Sequence, residues 1–183
     1  DWVERTLDVR YLLTSRESLR VAHEVVFDLD PLPDAAAVDL FVARARDARP
    51  GFEPDNDARA TIARLVRELD GLPLAIELAA ARAAVLSPQA ILERMGDRFR
   101  LLSSHRRDLP PRQRTLRGAL DWSWDLLDEP ERRVLAQCSV FRGGFAFDAV
   151  EAVVDAGPDA PWTADLVQAL LDKSLLRSEE PEE

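Results

Sequence analysis

Apolar residues at helical spacing, cut repeatedly by proline and glycine, restrict this chain to short helices packed against one another. Val38, Phe41, Val42 and Ala45 follow the i, i+3, i+4, i+7 pattern behind Asp34, which reads as an N-cap. The stretch "RPGFEPDN" interrupts it, and Ile62, Leu65, Val66 and Leu69 then repeat it until Gly71 supplies a stop. Pro73 fits the first position of the next helix, where a missing N–H costs nothing. In "SPQAILERMG", Ser87 is the expected N-cap, Pro88 the first residue and Gly96 the stop. The spacing predicts four or five short helices up to about residue 104.

The polar, proline-paired stretch "SSHRRDLPPRQR" reads as a linker. Beyond it, Leu116, Leu120, Trp124 and Leu127 predict a helix over 115–127, and the D-x-x-E pattern from Asp128 to Glu131 opens another. Phe147, Val150 and Val153 mark a third. Leu166, Val167 and Leu170 mark a fourth behind Thr163, and "DKSLLR" then turns into an expected short strand. The tail "SEEPEE" reads as disordered. Near the start, "VRYLLTS" (Val9 to Ser15) is β-compatible and almost continuously apolar, as strands covered on both faces are, yet no partner strand follows. It reads as an orphan of a larger sheet.

Composition narrows the chemistry. A net charge of −10 and a pI of about 4.8 argue against a nucleic-acid binder, whose affinity rests on excess Lys and Arg. Seven arginines between Arg98 and Arg117 face one acid, Asp108, but lack interleaved aromatics beyond Phe99, so nucleic acid is not the expected partner. The lone Cys138, among Val134, Leu135 and Phe141, reads as a buried thiol in a reducing, cytoplasmic setting. No apolar run is long enough to predict a membrane span. His23 and His105 are too far apart for a metal pair, no carboxylate pair is marked for acid–base work, and no G-x-x-x-x-G-K-[ST] loop occurs. No catalytic or metal-binding residue is therefore assigned, and no phosphoryl transfer is expected of this chain. Trp122 and Trp124 flank Ser123, so one should fill the core and the other an edge. Arg16 follows the expected strand, where an α/β sheet places ligands. The Pro73 helix has free N–H groups at its start, although Ala75, Ala79, Ala80 and Ala83 suit only close packing and Glu77 should be solvated.

Five stretches in order, "LLTSRESLRVAHEVVFDLDPL", "AVDLFVARARDARPGF", "LDGLPLAIELAAARA", "RTLRGALDWSWDLLDEPERRVLAQCSVFRGGF" and "LVQALLDKSLL", together resemble the STAND class of signalling NTPases. The branch most similar is the AP-ATPase or NB-ARC type of large bacterial transcriptional regulators of the LuxR and SARP kinds. The resemblance implies a mainly α chain. Residues 1–30 would be the remnant of an α/β nucleotide domain, 31–104 a helical domain, 105–114 a linker, 115–178 a winged-helix-like domain and 179–183 a tail. It implies that Arg16 senses the terminal phosphate of ATP or ADP bound with Mg, and that Pro73 and Leu74 pack on the adenine. The family's Walker A and Walker B segments would lie before Asp1 and its histidine-containing motif beyond Glu183. The parent would be an ATPase in which nucleotide state controls opening, self-association and transcriptional output; the expected partners are nucleotide and other domains of the parent chain. A DNA-binding winged-helix regulator and a nucleotide-independent interaction scaffold are the alternatives.

Overall fold

The computed structural model describes residues 9–15, 17–103 and 114–178. These are mainly helical and contain no strand, only an isolated antiparallel bridge between Ser103 and Thr115. They divide into two units, Asp28–Leu126 and Leu127–Glu183 together with Asp1–Phe27.

The first unit is built around α3 (Pro73–Ala80). Ala75, Ile76, Leu78, Ala79 and Ala80 are all buried, so this helix is apolar almost all round, as a central helix must be. Its small side chains admit close neighbours. Against it packs α1 (Asp34–Ala48), which buries Ala37, Phe41, Val42 and Ala45 along one stripe. Then α2 (Asn56–Glu68) adds Ile62, Leu65 and Val66, and α4 (Pro88–Leu92) adds Ile91 to the same core. Burying a side chain the size of Phe41, which is wholly inaccessible, stabilises by about 1.5–3 kcal/mol. The chain continues through a 3-10 turn (Ala81–Ala84), α5 (Arg98–Leu101) and α6 (Leu116–Asp125). Local signals set most of the starts. Asp55, Ser87 and Thr115 accept N–H bonds at the heads of α2, α4 and α6, and Pro73 and Pro88 occupy their expected first positions. Asp34, expected as an N-cap, is instead the first residue of α1 behind Pro33.

The second unit has its own core of Leu127, Val134, Cys138, Val150, Leu166 and Leu170. The expected Asp128–Glu131 capping box opens α7 (Glu129–Cys138). It is followed by α8 (Phe147–Val153) and α9 (Thr163–Asp172); Thr163 is the first residue of α9, after Trp162, not its cap. Arg20 pairs with Asp172 in this unit. In the same N-terminal segment the Glu24 carboxylate accepts the Leu19 N–H at 2.8 Å and the Ser18 hydroxyl at 3.0 Å, which hold its pKa below the usual value.

Four further expectations are corrected. Val9–Ser15 forms no strand: its residues are exposed, Leu12 almost fully, because a strand exists only through a ladder and no partner is present among the described residues. The strand expected after "DKSLLR" is replaced by a helix-ending turn. Ser174 takes φ +56°, and the N–H groups of Leu175 and Leu176 both donate to Leu170 O, which folds their side chains onto the second core. Neither Trp122 nor Trp124 fills the core, since α6 has no fully buried residue. Glu77 is not merely solvated, because it accepts from Arg44 Nε at 2.8 Å and so ties α3 to α1. The expected linker, 105–114, lies outside the described residues except for Arg114, as does the tail beyond residue 178.

Candidate functional site

The turn between α2 and α3 is fixed by backbone chemistry. Asp70 and Gly71 both adopt positive φ, at +53° and +65°. Gly71 N–H donates to Val66 O, and Gly71 O accepts the N–H of Leu32 at 3.0 Å. The approach is so close that a Cβ on Gly71 would lie 2.5 Å from Leu32 O. The segment entering α1 is thereby strapped across the turn. Leu72 and Pro73 emerge from it exposed, Leu72 by 44%, while Ala75 and Ile76 are buried immediately behind them. Leu74 is half-buried and packs on the first core. The result is an outward apolar step at the start of a helix, with the first N–H groups of α3 beside it.

Of the site residues expected from sequence, Pro73 and Leu74 are thus adjacent on one turn, one outward and the other directed into the core. Arg16 lies outside the described residues. Leu72 and Pro73 together leave a small apolar surface exposed at this turn. The described residues contain no group of three or more His, Cys, Asp or Glu that could hold a metal.

Three contacts were missed by the sequence reading. The Gly71–Leu32 strap was signalled only by the Asp-Gly pair. Arg82 Nε donates to Leu101 O at 2.8 Å and its Nη2 to Ser103 Oγ at 2.6 Å. Glu131, 4% exposed, is bound by Lys173 Nζ at 2.5 and 2.6 Å. Cys138 is buried as expected, and burial pushes its thiol above the ordinary value. A raised pKa leaves less thiolate at any pH, so at pH 8 an aromatic disulfide reagent should react with the native chain roughly tenfold or more slowly than with the urea-unfolded chain. Equal rates would show that the thiol is open to solvent.

No described helix is long and apolar enough to cross a membrane. No family model and no solved structure matches the chain. Over 171 residues it is 39% identical to a Mycobacterium tuberculosis (strain H37Rv) protein named "Putative HTH-type transcriptional regulator", a match covering 92% of this chain and 19% of the relative. A Mycobacterium bovis protein of the same description matches to the same extent. An "Uncharacterized protein" of Mycobacterium tuberculosis H37Rv is 43% identical over 143 residues, 78% of this chain and 36% of its own length. The chain therefore spans about a fifth of the regulators it matches and about a third of the other relative. It is similar to one segment of bacterial proteins that bear a transcriptional regulator's name.

Proposed function

We propose that this chain is the nucleotide-responsive segment of a larger transcriptional regulator of the STAND type. The observation that carries the reading is the Leu72–Pro73 step, an apolar surface turned outward by a rigid turn in front of a buried helix. A ligand or domain lying on this step would remove the Leu72 and Pro73 surfaces from water, which favours association by roughly 25 cal/mol per Å² of apolar area covered. The resemblance supplies the occupant: the adenine of ATP or ADP lies on Pro73, Leu74 shapes the floor, Arg16 meets the terminal phosphate, and Mg comes with the nucleotide. In the resembled family the winged-helix-like domain, expected here over 115–178, acts as a lid. In this chain α6 belongs to the first unit, so the lid role falls to the residues after it. ADP favours the closed arrangement, and exchange for ATP releases it by differential affinity for the two states. The similarity to a short segment of the mycobacterial regulators supports placement within a larger regulator.

The test is calorimetric titration of Mg-ADP into the longest natural polypeptide containing this chain, with and without Pro73→Ser. Serine is tolerated at a helix start, so α3 should persist, and the substitution should weaken binding about tenfold, the equivalent of about 1.4 kcal/mol. An unchanged Kd would remove the base-packing role. An absence of binding by either form would leave the interaction scaffold as the reading.

The relatives' name favours one second reading, direct DNA binding. The net charge of −10 opposes it, and Arg117 is already paired with Asp121 at 3.6 Å. A mobility shift that weakens steeply between low and high salt would establish it.

A further inference from the structure

Behind the C-terminal end of α3 lies a cavity of about 370 Å³, within the size range of small-molecule sites. It lies about 12 Å along the helix from Pro73, so nothing in its chemistry depends on the nucleotide reading. Its apolar wall is Val85, Leu86 and Leu101, and Val85 is 78% exposed. Its polar lining is Arg82, Arg94, Arg100 and Asp97, three positive groups and one negative.

The convergence of these arginines on one cavity, with Arg82 held in place, is the informative feature. In this strongly acidic chain Arg20, Arg44, Arg46, Arg67, Arg117 and Arg133 each have a carboxylate partner. Arg82, Arg94 and Arg100 have none among the described residues, although Asp97 stands on the same cavity wall; Arg49, Arg59 and Arg64 have none either, and what distinguishes the first three is that they line one cavity. Arg82 is also half-buried and fixed: Leu101 O and Ser103 Oγ orient its guanidinium without neutralising it. Arg94 is steadied in part by Nη1 donating to Ala90 O at 2.7 Å. A positioned, partly desolvated guanidinium without a counter-charge favours an anion, and planar N–H forks suit phosphate oxygens.

We propose that this cavity binds an organic phosphate monoester with a compact apolar body. Three arginines against one aspartate leave a local charge of +2, which a phosphate dianion balances. Val85, Leu86 and Leu101 take the apolar body.

The probe is 1-naphthyl phosphate, titrated calorimetrically into the 183-residue chain, beside inorganic phosphate (the head alone) and 1-naphthol (the body alone). Saturable binding of the ester, at least tenfold tighter than either fragment, is expected. Arg94→Gln with Arg100→Gln should weaken it tenfold or more; both residues are exposed, so the fold should remain, as circular dichroism would verify. Val85→Ser should weaken it about threefold, and Pro73→Ser should leave it unchanged, which keeps this test separate from the nucleotide reading. Absence of saturable binding, equal binding of 1-naphthol, or undiminished binding to the double variant would each overturn the proposal. Inorganic phosphate binding as tightly as the ester would overturn the apolar part and reduce the site to a simple anion site.

Discussion

Replacing Gly71 with alanine should destabilise the first unit by roughly 2–4 kcal/mol, one of the two largest effects expected of a single substitution here. Two penalties combine. An alanine at φ +65° is in the left-handed region, which costs roughly 1–2 kcal/mol for a residue with a Cβ. The new methyl would also meet Leu32 O at 2.5 Å, a backbone atom that cannot swing aside as a side chain can. Relief requires the segment before α1 to lift, stretching the 3.0 Å bond from Leu32 N to Gly71 O and withdrawing Leu32 from the first core. Gly51 provides the control. It has φ +82° but nothing within 4 Å of an added Cβ, so Gly51→Ala carries the conformational cost alone, about 1 kcal/mol. Urea unfolding of the two variants separates the terms, and hydrogen exchange should show faster opening at the Leu32 amide in Gly71→Ala. If the two variants were equally stable, the strap would not be pressed against the turn. Because this turn presents Leu72 and Pro73, loosening it should also blur whatever surface they form.

What was legible in the sequence was local. The α3 start at Pro73, the Ser87–Pro88 start and the Asp128–Glu131 capping box each depend on residues within one turn, and each is found where the pattern places it. Asp34 and Thr163 erred by a single position, since a polar residue near a helix start can be the cap or the first residue. Long-range features were not legible. Val9–Ser15 has a strand's composition, but a strand needs a ladder, and composition does not supply the partner. Glu77 looked solvated because its partner Arg44 is thirty-three positions away. At the candidate site, the proline's helix position was readable while its exposure was not, because exposure depends on how Gly71 and Leu32 route the chain around it. Arg82 was hidden among alanines, and only the fold brings Leu101 and Ser103 to it.

Lys173→Met should destabilise the second unit by roughly 2–4 kcal/mol, at or below the usual cost of breaking a buried pair because the lysine side chain is 25% exposed. Lysine is used once in this chain, every other Lys or Arg being arginine. At this position a compact ammonium fits where a broad guanidinium fork would not serve as well: Nζ sits 2.5 Å from Oε1 and 2.6 Å from Oε2 of the same carboxylate. Glu131 cannot turn away from it. Its Oε2 also accepts the Asp128 N–H at 2.9 Å, closing the capping box that starts α7, and the residue is 4% exposed. Lys173 follows directly on α9, so one ammonium joins the head of α7 to the end of α9, the two helices that pack together around Val134 and Leu170. Methionine retains the stem and removes the charge, leaving a desolvated carboxylate with only one N–H donor. Glu131→Gln should cost less, because its amide oxygen can still accept from Asp128 while the amide nitrogen confronts the ammonium. The double variant should be more stable than the sum of the single losses predicts, since it leaves no unpaired charge behind. Urea unfolding of all four proteins gives that coupling, and hydrogen exchange should place the loosening in α7 and α9. Additive losses would mean that the carboxylate and ammonium do not act as a pair.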